Sequence, residues 1–179
     1  MNSGAPVLGP VLRALAFAAR KHRGQRRKDR EASPYINHPI DLANVLVNEA
    51  GVDDDVVVVA AILHDTVEDT DTTGDELLTE FGAEIAAIVA EVTDDKSLPK
   101  DERKQLQVMH APHVSFRAQQ VKLADKISNL RDITRSPPSS WDIERKRAYF
   151  DWAKRVVDGL RGPHPKLETI FDEAYRARP

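Results

Sequence analysis

Residues 53–69 of the chain read DDDVVVVAAILHDTVED, an apolar run followed directly by a cluster of polar and charged residues. The β-branched run at 56–59 continues through Ala60, Ala61, Ile62 and Leu63 into a pattern that is too long for a strand, which predicts a buried helix. The acids at 53–55 supply an N-cap and an acidic first turn. The segment therefore predicts a core helix that carries polar side chains at its far end.

The rest of the chain shows helical spacing and helix punctuation, with almost no strand signal. Further helices are predicted over residues 7 to about 23, 38–50, 75–81, 83–92, 99–109, 115–135, 140–160 and 165–177. Pro, Gly, Ser and charged residues cluster in the loops between them. Because no repeat or linker divides the chain, the sequence predicts an all-α, single-domain helical bundle over residues 1–179.

Composition excludes several kinds of protein. The 179 residues contain no cysteine, so disulfides, thiolate metal sites and a cysteine nucleophile are excluded, and any metal must bind to His and carboxylate groups. No apolar run approaches the roughly 20 residues that cross a bilayer, and the N-terminal segment does not resemble a secretory signal. We therefore expect a cytoplasmic protein without a membrane partner.

The charges are unevenly distributed. The net charge is −3 at pH 7, from 26 Lys and Arg against 29 Asp and Glu, which does not favour nucleic acid as a partner. Between Arg20 and Arg30 there are seven basic residues and one acid, whereas between Asp65 and Glu76 there are six acids and no Lys or Arg. A basic strip and an acidic strip in one small domain suit an anionic ligand beside a bound cation.

The polar cluster at the end of the core helix is the first candidate for chemistry. On a helix His64 and Glu68 are four residues apart, as are Asp65 and Asp69, so the four side chains converge on one face. Burying them together is unfavourable unless a cation compensates the carboxylates. A divalent metal site is one interpretation. A helix end that emerges into solvent is the other, and it is the commoner one for an isolated His-Asp pair.

Two residues elsewhere in the chain favour the metal site. His38 begins a predicted helix in the segment YINHP, and Asp125 lies in the middle of a predicted helix among apolar residues. Each has an alternative explanation, because His38 could cap or pack a helix and Asp125 could pair with Lys122 or Arg131. Neither residue identifies a metal site alone.

The order His38, His64, Asp65 and Asp125 resembles the metal-binding signature of the HD superfamily of phosphohydrolases. Further motifs make the resemblance more specific: the Glu68-Asp69 pair, the basic arm at 26–28, the segment PYINHP at 34–39 and the segment LADKISNLRD at 123–132. Together they resemble the hydrolase domain of RelA/SpoT proteins, and above all the stand-alone metazoan SpoT homologues and the bacterial small alarmone hydrolases. The similarity runs over nearly the whole chain.

The resemblance implies a Mn²⁺ enzyme that removes the 3′-pyrophosphate from ppGpp or pppGpp, giving GDP or GTP and pyrophosphate. The metal ligands that it implies are His38, His64, Asp65 and Asp125. Two imidazoles and two carboxylates suit Mn²⁺, but Fe²⁺, Co²⁺, Ni²⁺ or Zn²⁺ could also bind to them. The resemblance assigns Glu68 and Asp69 to catalysis, and their position one turn beyond the central ligands suits groups that handle the attacking water.

The resemblance also implies contacts between the nucleotide and four residues, Arg27, Lys28, Asn129 and Tyr149. A guanidinium group can stack on a purine or bind phosphate, and a lysine supplies a point charge. The helical pattern alone places Tyr149 in the core with its aromatic neighbours. The remaining histidines lack partners at ligand spacing and are expected at the surface: His22, His110, His113 and His164.

Two other functions stay open from the sequence. A basic arm beside an HD site could accept another phosphorylated nucleotide, and removal of the 2′-phosphate of NADPH is the main alternative. A nucleotide-binding regulator without catalysis is a further alternative, although the implied ligands and the Glu68-Asp69 pair are all present. Because the chain stops after the hydrolase-like region, we expect hydrolysis without nucleotide synthesis. The sequence predicts neither the oligomeric state nor a preference between ppGpp and pppGpp.

Overall fold

The structure, a computed structural model, describes residues 8–179 and contains ten α-helices and no β-strand in that range. The first predicted helix was expected to begin at Val7, which lies outside the described residues. The helices are α1 (Leu8–Lys21), α2 (Asn37–Asn44), α3 (Asp55–Leu63), α4 (Thr66–Asp69), α5 (Gly74–Phe81), α6 (Ala83–Val92), α7 (Lys100–His110), α8 (Phe116–Arg135), α9 (Ile143–Asp158) and α10 (Pro165–Arg176). Among these residues, no helix combines the length and the apolar character that crossing a membrane requires.

The apolar segment at 55–63 forms α3, which lies at the centre of the bundle. Residues 57–63 are all buried, as expected for a helix that is hydrophobic on every side. Asp54 caps the helix, because its side chain accepts a hydrogen bond from the backbone N–H of Val56 at 3.1 Å. Helices α1, α2, α6 and α8 pack around α3. The residues that follow α3 are therefore held in the middle of the molecule.

Helix α2 is fixed against α8 by an unusual turn and an ion pair. It continues into a single π-helical turn, Val45–Glu49, after which Gly51 takes a positive φ of 72° that glycine adopts without strain. Two nitrogens of Arg131 on α8 donate hydrogen bonds to the two carboxylate oxygens of Glu49, each at 2.8 Å. This bidentate contact restrains α2 relative to α8.

The basic segment before α2 folds into a loop with local hydrogen bonds of its own. Arg26 and Pro34 form an isolated β-bridge, and the backbone N–H of Arg27 donates to the Ser33 carbonyl oxygen at 2.9 Å. The Asp29 carboxylate accepts from the Ser33 backbone N–H at 3.0 Å and from its hydroxyl. These hydrogen bonds stabilise the loop that carries the basic arm.

The all-α bundle expected from the sequence is confirmed, but the helix through Asp69 is not continuous. The α-helix ends at Leu63, His64 and Asp65 form a turn, and α4 begins at Thr66. The cause is local: the His64 imidazole binds the Ala61 carbonyl oxygen at 2.8 Å, and the Thr66 hydroxyl donates to the Leu63 carbonyl oxygen at 2.6 Å. Side chains that bind backbone carbonyl oxygens in this way compete with the backbone hydrogen bonds of a continuous helix.

Candidate active site

His64 and Asp65 occupy the turn between α3 and α4. His64 is only 6% exposed, and its Nδ1 lies 2.8 Å from the carbonyl oxygen of Ala61. Because a carbonyl can only accept, Nδ1 carries the proton in the neutral ring and Nε2 keeps a lone pair. The backbone contact thus orients His64 as a ligand through Nε2.

His38 from α2 and Asp125 from α8 meet this turn. Nε2 of His38 lies 3.2 Å from Oδ1 of Asp125 and 3.9 Å from Oδ2 of Asp65. Oδ1 of Asp125 lies 3.9 Å from Nε2 of His64. The other ring nitrogen of His38, Nδ1, is 3.3 Å from the hydroxyl oxygen of Ser128. The structure therefore brings together all four residues that the sequence suggested as ligands.

Three of these residues fit a divalent cation directly. His38, His64 and Asp65 each offer a ligand atom, and the three atoms lie within 4.8 Å of one another. Nε2 of His64 is buried without a hydrogen-bond partner, although Oδ2 of Asp65 is only 2.9 Å away. Two polar atoms that lie this close without a hydrogen bond of good geometry suit a shared third partner. Imidazole nitrogen and carboxylate oxygen are ligands for Mn²⁺, Fe²⁺ and related ions.

Asp125 stands outside that compact group of three. Its Oδ1 accepts a hydrogen bond from the Asn129 side chain at 2.6 Å, and its Oδ2 is paired with the Lys126 ammonium at 2.8 Å. The pairing with Lys122 or Arg131 that the sequence allowed does not occur, because Lys126 is nearer and Arg131 binds Glu49. Asp125 is nevertheless directed at both imidazoles through Oδ1.

The electrostatics of the group compensate for its burial. Burial by itself raises the pKa of Asp65, but the adjacent charge of His64 outweighs it and holds the pKa below its usual range. Burial likewise lowers the pKa of His64, and the charge of Asp65 reverses that and raises the pKa to about 9. In both cases the charged forms stabilise each other. The carboxylates of the site therefore stabilise a positive charge placed between them.

Glu68 and Asp69, on α4, lie beside this group and are held by residues of the loop before α7. Oε2 of Glu68 accepts a hydrogen bond from the backbone N–H of Asp94 at 3.0 Å. Burial raises the pKa of Glu68 to about 7, with further contributions from the charges of Asp65 and Asp94. The Lys96 ammonium is bonded to the Asp69 carboxylate and lies 3.9 Å from Oε1 of Glu68. The two acids thus have different environments.

The four residues expected to contact a nucleotide come from the basic arm, from α8 and from α9. Arg27 is bonded to the Asp132 carboxylate, lies 3.5 Å from the Asn129 side-chain oxygen and sits 5.7 Å from the centre of the Tyr35 ring. Lys28 is exposed. Tyr149 packs against Trp152 at 5.1 Å between ring centres. With these contacts in place, all four residues still border open space.

Two adjoining cavities contain the site. We call them the inner cavity, of about 340 Å³, and the outer cavity, of about 440 Å³. The inner cavity reaches His64, Asp65, Glu68 and Asp125, whereas the outer one lies along the basic arm and the end of α8. Residues that border both are Arg27, Lys28, Tyr35, His38, Asp69, Asn129 and Tyr149. The arrangement suits a long anionic ligand that extends from the arm to the His and Asp group.

Comparison with known families agrees with this arrangement. The HD domain family matches residues 14–149, a range that includes the four candidate ligands, the Glu68-Asp69 pair and the four residues expected to contact a nucleotide. The chain belongs to the HD domain family. The His64-Asp65 pair in the turn after α3 thus occupies the centre of an HD domain, and the expected fold type is confirmed.

Close relatives of this HD domain protein are similar over nearly their whole length. It is 56% identical over 168 residues to the human guanosine-3′,5′-bis(diphosphate) 3′-pyrophosphohydrolase MESH1, covering 94% of each chain. It is 49% identical to the Drosophila melanogaster protein of the same name, covering 93% of each. A solved structure described as a metazoan ortholog of SpoT that hydrolyses ppGpp superposes with a TM-score of 0.91 at 48% identity, covering 94% of this chain and 95% of that one.

Several residues of the HD domain site were not identified from the sequence. The Tyr35 hydroxyl donates hydrogen bonds to Oδ2 of Asp65 and, at 3.4 Å, to Oδ2 of Asp69. Lys96 binds Asp69, and Lys122 and Lys126 line the inner cavity. The one sequence feature that could have identified Tyr35 as a site residue is its position three residues before His38. Lys96 gave no signal, because it comes from a loop that approaches α4 only in the folded chain.

Two histidines expected at the surface are instead buried. His22 is 2% exposed and packs against Tyr35 at 4.7 Å between ring centres. His164 is 5% exposed and packs against Phe116 at 4.2 Å. His110 and His113 are exposed as expected. Neither buried histidine belongs to the ligand group, so the selection of His38 and His64 is unaffected.

Proposed function

We propose that this protein is a metal-dependent 3′-pyrophosphohydrolase of ppGpp and pppGpp. The observation that carries the proposal is the convergence of two imidazoles and two carboxylates in an inner cavity that adjoins an outer cavity along a basic arm. The close relatives that carry this activity in their names support the choice of substrate.

His38, His64, Asp65 and Asp125 would hold the metal ion, for which we propose Mn²⁺ because of the mixed nitrogen and oxygen donors. When bound, Mn²⁺ would supply Lewis-acid chemistry, namely polarisation of a phosphoryl oxygen and a lowered pKa for a coordinated water molecule. Tyr35 holds Asp65 in place through its hydroxyl group. Ser128 supports the His38 ring from the opposite side.

In the reaction, water adds to the phosphorus nearest the ribose, the bond between that phosphorus and O3′ breaks, and a proton ends on O3′. The products are GDP or GTP and pyrophosphate. Glu68 is suited to accept the proton of the attacking water, because its pKa is raised by burial to about 7 and lies close to neutral pH. Asp69, which is held by Lys96 and Tyr35, would orient that water.

The outer cavity would hold the nucleoside and the 5′-phosphates. Arg27 and Lys28 provide positive charge there, and Asn129 and Tyr149 border the passage toward the metal ligands. Trp141 adds an aromatic face in the same cavity, so a purine can stack while its phosphates meet the arm. The cytoplasmic location expected from the sequence stays a prediction.

The first experiment is turnover of ppGpp by metal-stripped protein with and without added Mn²⁺. We expect GDP and pyrophosphate only when the metal is present, and no products from an Asp65→Ala variant. Glu80→Ala, which removes an exposed carboxylate outside the site, is the matched control and should keep full activity. Turnover of NADPH in place of ppGpp would indicate a 2′-phosphatase. Binding of ppGpp to the metal-loaded protein without turnover would indicate a regulator.

A further inference from the structure

The inner cavity contains a buried ammonium group that the reaction described above does not use. Lys122 on α8 is 7% exposed and borders this cavity. In the described part of the chain, residues 8–179, no carboxylate lies within ion-pair distance of its Nζ. Burial lowers the pKa of Lys122, as does the charge of Lys126, and these effects outweigh the opposing charges of Asp94, Asp125 and Glu68. An ammonium group that borders a cavity and has no ion-pair partner can bind an anion in that cavity.

A second ammonium group lies on the same face of α8. Lys126 follows Lys122 by four residues, so both side chains extend to the same side of the helix. Its Nζ is 2.8 Å from Oδ2 of Asp125 and 4.5 Å from the centre of the Trp152 ring. Lys126 is therefore anchored, whereas Lys122 has no such contact. Besides Lys28, which borders both cavities, the inner cavity thus has one fixed ammonium group, that of Lys126, and one that is available to a ligand, that of Lys122.

The two lysines border the inner cavity alone, whereas Arg27 and Lys28 of the basic arm border both cavities. Lys122, Lys126, Gln107 and Trp152 border the inner cavity and not the outer one. Two acids share this part of the cavity, Glu68 and Asp94. Each is engaged, since Gln107 donates to Asp94 at 2.6 Å and the Asp94 backbone N–H donates to Glu68. A nucleotide in the outer cavity would thus have the lysines beyond the ligand group.

We propose that Lys122, assisted by Lys126, binds the distal phosphate of a pyrophosphoryl group whose proximal phosphorus lies at the His and Asp group. The inference rests on the proposed function, because it assigns the inner cavity to one part of that substrate. It follows that the site prefers a pyrophosphoryl group to a single phosphoryl group, since a monophosphate does not extend to Lys122. The same residue would retain the pyrophosphate product after cleavage.

The test compares binding of inorganic pyrophosphate with binding of inorganic phosphate to the Mn²⁺-loaded protein by calorimetry. Lys122→Met keeps the length of the side chain and removes its charge, and we expect a loss of pyrophosphate affinity of about ten- to a hundredfold. Phosphate affinity should change by less than about threefold, within the effect of a distant charge. Lys122→Arg should keep most of the pyrophosphate affinity. Lys100→Met, at an exposed position on α7, is the matched control.

Equal loss of pyrophosphate and phosphate affinity, or no loss of either, would overturn the proposal. Thermal unfolding separates a binding role from a structural one, because removal of an unpaired buried charge should leave the Tm of metal-free Lys122→Met unchanged or higher. A lower Tm together with equal losses would also overturn it. The binding assay needs no turnover. If the wild type binds pyrophosphate through Lys122 but does not cleave ppGpp, the proposed function fails and the pyrophosphate site stands.

Discussion

Nε2 of His64 lies 2.9 Å from Oδ2 of Asp65, on a ring whose Nδ1 is bonded to the carbonyl oxygen of Ala61. The charge of Asp65 overcomes the effect of burial and raises the pKa of His64 to about 9. The metal-free protein therefore carries an imidazolium ion at the centre of the carboxylates. Its proton provides the positive charge that a metal ion would otherwise supply.

Binding of Mn²⁺ should consequently release a proton, because only the neutral imidazole can act as a ligand. Below a pKa of about 9 the ring is protonated, so the apparent affinity should fall as the pH falls, by up to about tenfold per unit for one proton. Calorimetry in buffers of different ionisation enthalpy, between about pH 6 and 8, measures the number of protons released. His113→Asn, at an exposed histidine, is the control and should release the same number. A pH-independent affinity would contradict the prediction.

Glu68→Gln should lower kcat while leaving Mn²⁺ binding intact. The glutamine keeps the volume of the side chain and its contact with the Asp94 N–H, but cannot accept a proton, and losses of about 10² to 10⁴ are typical for a general base. In the wild type, the rate should fall as the pH drops below the pKa of about 7, where Glu68 is protonated. A bound cation stabilises the carboxylate and moves this acid limb to lower pH.

Glu68→Gln should no longer show the fall in rate at low pH. Measuring the pH dependence of kcat/KM distinguishes the loss of this acid limb from a general loss of activity. Glu80→Gln is the matched control, because Glu80 is exposed on α5 and borders neither cavity. If Glu68→Gln retains both the rate and the acid limb, the proton acceptor is a different group. Asp69→Asn would then be the next variant to measure.

Tyr35→Phe should weaken Mn²⁺ binding without unfolding the protein. The hydroxyl donates to Asp65 and Asp69, whereas the ring packs on His22, and phenylalanine preserves only the packing. Loss of a group that orients a metal ligand typically lowers affinity by about 10- to 100-fold. Competition with a chelator measures the change. Tyr175→Phe removes a hydroxyl that bonds to Asp151 far from the site, and it should leave Mn²⁺ affinity unchanged.

The parts of this structure that the sequence predicted are those that depend on local pattern. An apolar run with an acidic cap predicts a central helix whatever packs around it, and α3 agrees. His38 and Asp125 were suggested as ligands by their places in predicted core helices together with the resemblance to HD phosphohydrolases, since each alone had another explanation. The Glu68-Asp69 pair lies next to the ligands because only one turn separates them.

The parts that the sequence did not predict depend on contacts between distant segments. The break at His64 arises from side chains that bind backbone carbonyls, which a helical pattern does not show. His164 is buried because Phe116, 48 residues earlier, packs on it. The unpaired state of Lys122 follows from which carboxylates lie near it in the folded chain, whereas the sequence offered Asp125 as a partner.

Arg27→Ala should raise KM for ppGpp much more than it lowers kcat. Arg27 borders both cavities but lies beyond the ligand group, so its contacts with the nucleotide would be similar in the bound substrate and in the transition state. A lost charge-assisted contact corresponds to a rise in KM of about ten- to a hundredfold. Asp132, its present partner, is 37% exposed and can be hydrated once Arg27 is removed, so the Tm should change little. Arg23→Ala, an exposed position beside the same loop, is the control. A fall in kcat at constant KM would instead place Arg27 at the reacting phosphorus and would contradict its assignment to the nucleotide.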